Sequence, residues 1–531
     1  MKNTQEAPAE GKALGGRKHD IDMTEGSIVK LLIQFALPLL VGNLFQQLYN
    51  TVDSYVVGRV SNEAFAAVGS VGPIINTAVG FFSGFATGAG VVISHFIGSK
   101  DDNSVSDTVA TSIVVTVILA VLFTVAGYFL VPEMITLMQT PEGVVSDAVS
   151  YLQIYFLGLG GLMLYNMAAG IFRAAGNSTL PLAALIISAV INTVLDVVFV
   201  LFLDFGVTGA AYATIIAEAI SALFLLAVLT VKDTAYKIRW TKLKIAPEIL
   251  KCIIYIGFPA ALQMAITSFS NVFVQSYINT FGENFMSGWT AYSKIDAFAL
   301  LPMQSISLSV TTFTGQNYGA GLPERAKRGT FIGIMISLAV TALLIVPIIM
   351  FAEPLVAFLN SEPAVVEYGA MLLRAISPFY LMCVINQILA GTLRGAGNSK
   401  TPMFIMLGSF VLFRQIYLIV LTHFTSSVYV IVFAYPRDGC FAPSLCCFTI
   451  NYRAGKRKSP QSRAHKTAQA YEKKTLGICR WHLPVPRVFY FNHETPNRIF
   501  QANDTPRNIS PPWESTFPQT RYSRRRRFAD V

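Results

Sequence analysis

Charge is what this chain has least of. Of its 531 residues only 13% are Asp, Glu, Lys or Arg, while 53% are hydrophobic. Soluble domains carry roughly 25% charged residues, so a surface facing water on every side is excluded. The six cysteines show no metal-ligand spacing, which leaves a zinc module without ligands. The polar first 25 residues lack the apolar core of a signal peptide, so no cleaved leader is expected. No nucleophile–base pair or metal signature stands in the apolar stretches, so neither enzyme activity nor a cofactor is expected. GAGNSKT at 395–401 looks superficially like a phosphate loop, but the GxxxxGK[ST] pattern is missing. An ATP-driven pump is not expected.

Apolar stretches fill the space that charge leaves. A bilayer core takes about 20 apolar residues as helix. Eleven such runs cover residues 28–57, 64–95, 105–131, 149–172, 180–203, 206–231, 248–281, 285–315, 330–352, 366–393 and 402–424. Backbone amides in lipid must bond within a helix or a closed barrel, and these runs are too long for barrel strands. The expected fold class is an all-α polytopic membrane protein.

The net charge of +10 does not point to nucleic acid, because its sign follows the loops. Lys232, Lys237, Arg239, Lys242, Lys244 and Lys251 lie between the sixth and seventh runs, and Arg325, Lys327 and Arg328 between the eighth and ninth. The third–fourth and ninth–tenth loops carry Glu133, Glu142, Asp147, Glu353 and Glu362 without Lys or Arg. This bias places the N-terminus and the even-to-odd loops on the cytoplasmic side, with Arg59 as the exception.

The chain is duplicated. Residues 170–181 read GIFRAAGNSTLP and residues 391–402 read GTLRGAGNSKTP, identical at seven of twelve positions with an offset of 221. The same offset carries Pro38 onto Pro259 and Gly98 onto Gly319. Each half then holds six spans, the twelfth expected at 427–451. Six is even, so both halves enter the membrane from one side and a pseudo-two-fold along the membrane normal relates them, as in parallel-repeat transporters. Gly and Asn of the repeated motif suit a helix C-terminus and its Pro the next first turn. Arg173 and Arg394 accordingly read as flanks of a tight turn.

The offset also exposes what the halves do not share. Asn192 and Asp196, four apart in AVINTVLDVVFV, correspond to Phe413 and Tyr417; Asp53 corresponds to Val274 and Thr214 to Tyr435. A carboxylate in hydrocarbon costs at least ~2.5–3.5 kcal/mol and marks ion or proton paths. Asn192 shares a helix face with Asp196, and Tyr49 with Asp53. Carboxylate, amide and hydroxyl oxygens suit an alkali cation such as Na+, and neighbouring carboxylates in low dielectric can equally share a proton. Glu218, Lys294, Asp296 and Arg414 are weaker membrane charges; Glu218, Lys294 and Asp296 are candidate cavity residues. Pro38 removes a helix hydrogen bond, so a hinge is expected in the span that carries Asp53.

The stretch NTVDSYVVGRVSNEAFAAVGSVGPI, the motif SHFIGSKD with its twin GQNYGAGLPERA, and the pair RAAGNSTLP/RGAGNSKTP together resemble the multidrug and toxic compound extrusion (MATE) family over about residues 25–435. The resemblance implies a twelve-helix, two-lobed antiporter that expels organic cations and other amphipathic compounds against inward Na+ or H+. It places the family's N-lobe cation site on Asp53, Asn192, Asp196 and Thr214, with Tyr49 and Pro38 in matching positions. Part of the family carries a glutamate where this chain has Thr267. That difference points to the DinF-like branch, with coupling in the N-lobe.

The expected division is a polar N-terminus (1–25), an N-lobe (26–231), a basic linker (232–247), a C-lobe (248–435) and an aberrant tail (436–531). The tail holds four of the six cysteines and ten of the 25 prolines, and reads as the product of a frame change near residue 437. The expected partners are a small organic substrate and the lipid bilayer of the cytoplasmic membrane, with no nucleic acid, and the expected state is a monomer. The alternative function is a flippase for lipid-linked sugars. Its cavity should be lined with several Arg or Lys for the pyrophosphate, and the apolar spans offer only Lys294 and Arg414.

Overall fold

The computed structural model describes residues 20–59, 62–138, 142–424, 428–430, 432 and 434. The expected twelfth span lies almost wholly outside them, and the tail lies entirely outside. The first half contains α1 (Ile28–Gly58), α2 (Asn62–Gly98), α3 (Asp102–Leu137), α4 (Glu142–Ala174), α5 (Thr179–Asp196) with a π-helical extension Val197–Phe202, and α6 (Gly206–Val231). The second contains α7 (Pro247–Asn279), α8 (Glu283–Gly319), α9 (Pro323–Met350) and the short α10 (Ala352–Leu359). After these come α11 (Pro363–Ile376), continued by α12 (Tyr380–Gly395), then α13 (Lys400–Met406), a π segment Leu407–Phe413 and α14 (Arg414–Phe424). Among the described residues, eleven helical segments are long and apolar enough to cross a bilayer.

Local chemistry marks the boundaries. Asp101 caps α3, its carboxylate accepting from Ser104 N at 3.1 Å. Pro247, Pro323 and Pro363 open α7, α9 and α11, where a missing amide is harmless. The duplicated turn has the same geometry twice. Asn177 N donates to Phe172 O at 2.9 Å and Asn398 N to Leu393 O at 2.8 Å. The preceding Gly176 and Gly397 both sit at left-handed φ, +87° and +82°. The two asparagine side chains then accept from Leu180 N and Thr401 N, opening the next helices.

Packing repeats as the sequence does. α1 lies along α5 as α7 lies along α13, and α2 along α4 as α8 along α11 and α12. The halves join where α2 packs on α7 and α1 on α8, two crossings that the repeat interchanges, and α2 also packs on α8. α8 is therefore mostly interior, 72% of its apolar window buried, against 22% for α3. The outer helices turn large apolar side chains outward: Phe129 is 71% exposed and Leu343 75%. Such a surface is stable only against lipid.

Residues 20–23 cross the N-terminal face as a strap. Asp20 accepts from Asn177 Nδ2 (2.9 Å) and Tyr236 OH (2.6 Å) and pairs with Lys232. Ile21 N donates to Gly176 O at 3.1 Å. Met23, fully buried, donates its N–H to Gln316 Oε1 (3.0 Å) and accepts from Asn317 Nδ2 (2.9 Å) on α8. The strap thus bonds to both halves.

Candidate functional site

Asp196 ends α5 and is fully buried. One turn earlier Asn192, 2% exposed, donates from Nδ2 to Thr214 Oγ1 on α6 at 3.4 Å. Thr214 in turn donates to Ala210 O at 3.0 Å. Asp53, on the neighbouring α1, lies within electrostatic reach of Asp196. Four oxygens of this group are buried and accept no hydrogen bond from the described residues: both of Asp196, Oδ1 of Asp53 and Oδ1 of Asn192. Each orphaned buried acceptor costs about 1–3 kcal/mol, more when charged. Their hard oxygen chemistry fits an alkali cation or a proton, either of which would relieve that cost.

The backbone is unusual at the same place. The π turn begins directly after Asp196, with Leu203 N–H reaching back to Val198 O at 2.9 Å. Short π turns sit disproportionately at functional sites and rotate every side chain that follows. The second half has its own π turn, but it ends at Phe413, the counterpart of Asn192. The repeats therefore diverge in backbone as well as in side chains.

Tyr49, within electrostatic reach of Asp53, lines a cavity of about 370 Å³ walled by α1, α2, α4, α5 and α6 on one side and α7, α8 and α12 on the other. Pro38 and Glu218 also line it; α1 runs as continuous helix through Pro38. Lys294 and Asp296 are not on this wall. Lys294 is exposed, and Asp296 accepts from Tyr292 OH, one turn away, at 3.4 Å. Arg414 is buried and donates to Ser270 Oγ (3.2 Å) and Asn271 Oδ1 (2.9 Å) of α7.

Sequence reasoning missed two groups. Tyr151 of α4, buried, is within electrostatic reach of Asp53, Asp196, Glu218 and Tyr49. A tyrosine among apolar residues reads as core, and nothing in its spacing signals otherwise. Arg173 and Arg394 both line the cavity. The expectation that Lys294 and Arg414 are the membrane cations at issue is thus corrected: the repeated arginines face inward. Their recurrence in both halves was the available signal.

Two repeated helical bundles around a shared cavity are the architecture of parallel-repeat membrane transporters. The sequence pattern of the MatE family matches residues 38–198 and again 259–420, and the chain belongs to this family of multidrug efflux transporters. It is 30% identical to the probable multidrug resistance protein YpnP of Bacillus subtilis (strain 168), covering 74% of this chain and 88% of the relative. To the probable multidrug resistance protein NorM of Thermotoga maritima it is 26% identical, covering 71% and 82%. A solved outward-facing multidrug resistance MATE transporter of the MOP superfamily has the same fold. Its TM-score is 0.77 at 24% identity, covering 84% of this chain and 98% of that one.

Proposed function

We propose that the chain is an antiporter of the cytoplasmic membrane, N-terminus inside, that exports amphipathic, often cationic, small molecules against an inward flow of Na+ or H+. Asp53, Asn192, Asp196 and Thr214 hold the ion, Tyr49 relays its state to the cavity, and Pro38 lets α1 bend. The N-lobe (26–231) then carries coupling and shares the substrate path with the C-lobe (248–435), as in the DinF-like branch; no resident cofactor is required, and a monomer suffices. The observation that carries this reading is the set of orphaned oxygens on Asp53, Asn192 and Asp196, in one half only. A purely architectural group would recur in the other.

Ethidium export from proteoliposomes under an imposed Na+ or pH gradient tests it. Asp53→Asn and Asp196→Asn should each slow gradient-driven export by ~5–150-fold, the range of a coupling free energy of ~1–3 kcal/mol. Wild-type rates in both variants would remove these residues from coupling. A flippase for lipid-linked sugars is the second reading, favoured by the two arginines in the cavity. A fluorescent lipid-linked sugar in the same vesicles separates the two, since a flippase would move the lipid and leave ethidium in place.

A further inference from the structure

The repeated arginines do more than flank a turn. Arg173 and Arg394 occupy the last turns of α4 and α12, at corresponding positions of the two repeats, and both reach the central cavity. Arg394 is only 8% exposed. Neither guanidinium has an ion-pair partner among the described residues, and Glu218 in the same cavity pairs with neither. A guanidinium keeps its proton and offers five donors in a planar fork. Arg173 is half-buried, and both guanidinia open onto the cavity. The negative ends of α4 and α12 offset only a small part of each positive charge, so an anion in the cavity is favoured beside them.

The rest of the cavity has a different character. Glu218 stands roughly 20 Å of helix before the end of α6, whereas the arginines stand in the last turns of helices that end on the same face. Opposite charges therefore occupy different depths, with Tyr165 within electrostatic reach of both Arg173 and Glu218. Leu162, Leu185, Met264 and Leu308 supply apolar wall.

We propose that the cavity takes amphiphiles bearing a carboxylate or phosphate group, seated between Arg173 and Arg394, so that zwitterions rather than plain cations are its preferred cargo. This refines the exporter reading above and rests on it.

Rhodamine 110, with a free carboxylate, and rhodamine 123, the methyl ester of the same dye, isolate the anion. Export of each is measured from phosphatidylcholine proteoliposomes carrying the full chain. The wild type should favour the acid over the ester by at least ~10-fold, the discrimination expected when a site's donors lose their acceptor. Arg173→Gln and Arg394→Gln should collapse that ratio, and Arg173→Lys and Arg394→Lys should each partly keep it. The ratio is internal to each variant, so a smaller folded fraction does not move it. An unchanged ratio in both Gln variants, or a wild-type preference for the ester, overturns the proposal. If adding phosphatidylglycerol abolishes the acid preference, the arginines hold a lipid headgroup and the proposal is again overturned. Should neither dye nor ethidium move under any gradient, the exporter reading fails. Fluorescence polarisation of the two dyes on the purified chain then decides the anion site separately: equal affinities refute it, and tighter binding of the acid that both Gln variants abolish sustains it.

Discussion

A single buried carboxylate sets the energetics at the residue scale. Asp196 has no hydrogen-bond donor for either oxygen among the described residues, so folding without a bound cation or proton leaves it uncompensated. Asp196→Asn keeps the volume and removes the charge. Its melting temperature in the absence of Na+ should be unchanged or higher than wild type. What it should lose is the ligand response: a cation at 100 times its Kd stabilises by ~2.7 kcal/mol. Melting curves with and without Na+, and across pH, check this, and a variant that still responds as wild type does would exclude Asp196 from the ion site. The members of this group were legible because the offset of 221 made each half a control for the other. Tyr151 was not, since no counterpart contrast or charge singles out an aromatic in an apolar helix. Arg173 does flank the tight turn as read, but its place on the cavity wall was hidden for a related reason: hydropathy puts a charge near a helix end without saying whether it turns toward water or toward a cavity.

At the scale of elements, hydropathy located the apolar runs to within several residues, because lipid imposes length and polarity directly on them. It could not show the π turn after Asp196, which adds a residue to one turn without any compositional mark. Nor could it show the break at Ser377–Phe379 within the tenth span as a short 3-10 turn, although Pro378 stands there. The strap was equally hidden, for it lies in a polar segment without periodicity and is held by one carboxylate, that of Asp20, and by the backbone of Ile21 and Met23. Gly176 gives access to it. A Cβ there would overlap the carbonyl oxygen of Ile21, and a left-handed residue other than glycine adds ~1–2 kcal/mol of its own. Gly176→Ala should therefore detach residues 20–23, seen as faster hydrogen exchange in that segment and a lower melting temperature. Exchange as slow as wild type would mean that the strap tolerates the displacement.

For the whole molecule, the two inter-half crossings are equivalent by repeat and different in chemistry. On α2, Gly84 and Gly88 meet α7 so closely that a Cβ on Gly88 would overlap Gly257 Cα. Their counterparts on α8 are Ser305 and Ser309. Ser309 Oγ donates to Leu32 O of α1 at 3.1 Å, and Ser305 Oγ accepts from Asn43 Nδ2 of α1 at 3.3 Å. Close backbone contact between small residues is a strong way to join helices in lipid, whereas an inter-helix hydrogen bond there averages only ~0.6 kcal/mol. The α2–α7 seam is thus the firmer one, and the α1–α8 seam, which holds the helix of Asp53 and Pro38, is the one that can part at small cost. Installing the other repeat's residue exposes the difference. Gly88→Ser should destabilise by ~1–3 kcal/mol as α7 is pushed away, and Ser309→Gly by ~1–2 kcal/mol from one lost bond and a more flexible helix. Gly72→Ala, where a Cβ meets nothing within 4 Å, should be neutral or stabilising by up to ~1 kcal/mol. Thermal melts of the three variants check the stabilities, and export distinguishes the seams. On the proposed mechanism Ser309→Gly should retain transport while Gly88→Ser loses it, because only the second disturbs the seam about which α1 would move. If Gly88→Ser is as stable and active as Gly72→Ala, the glycine seam is not what joins the halves.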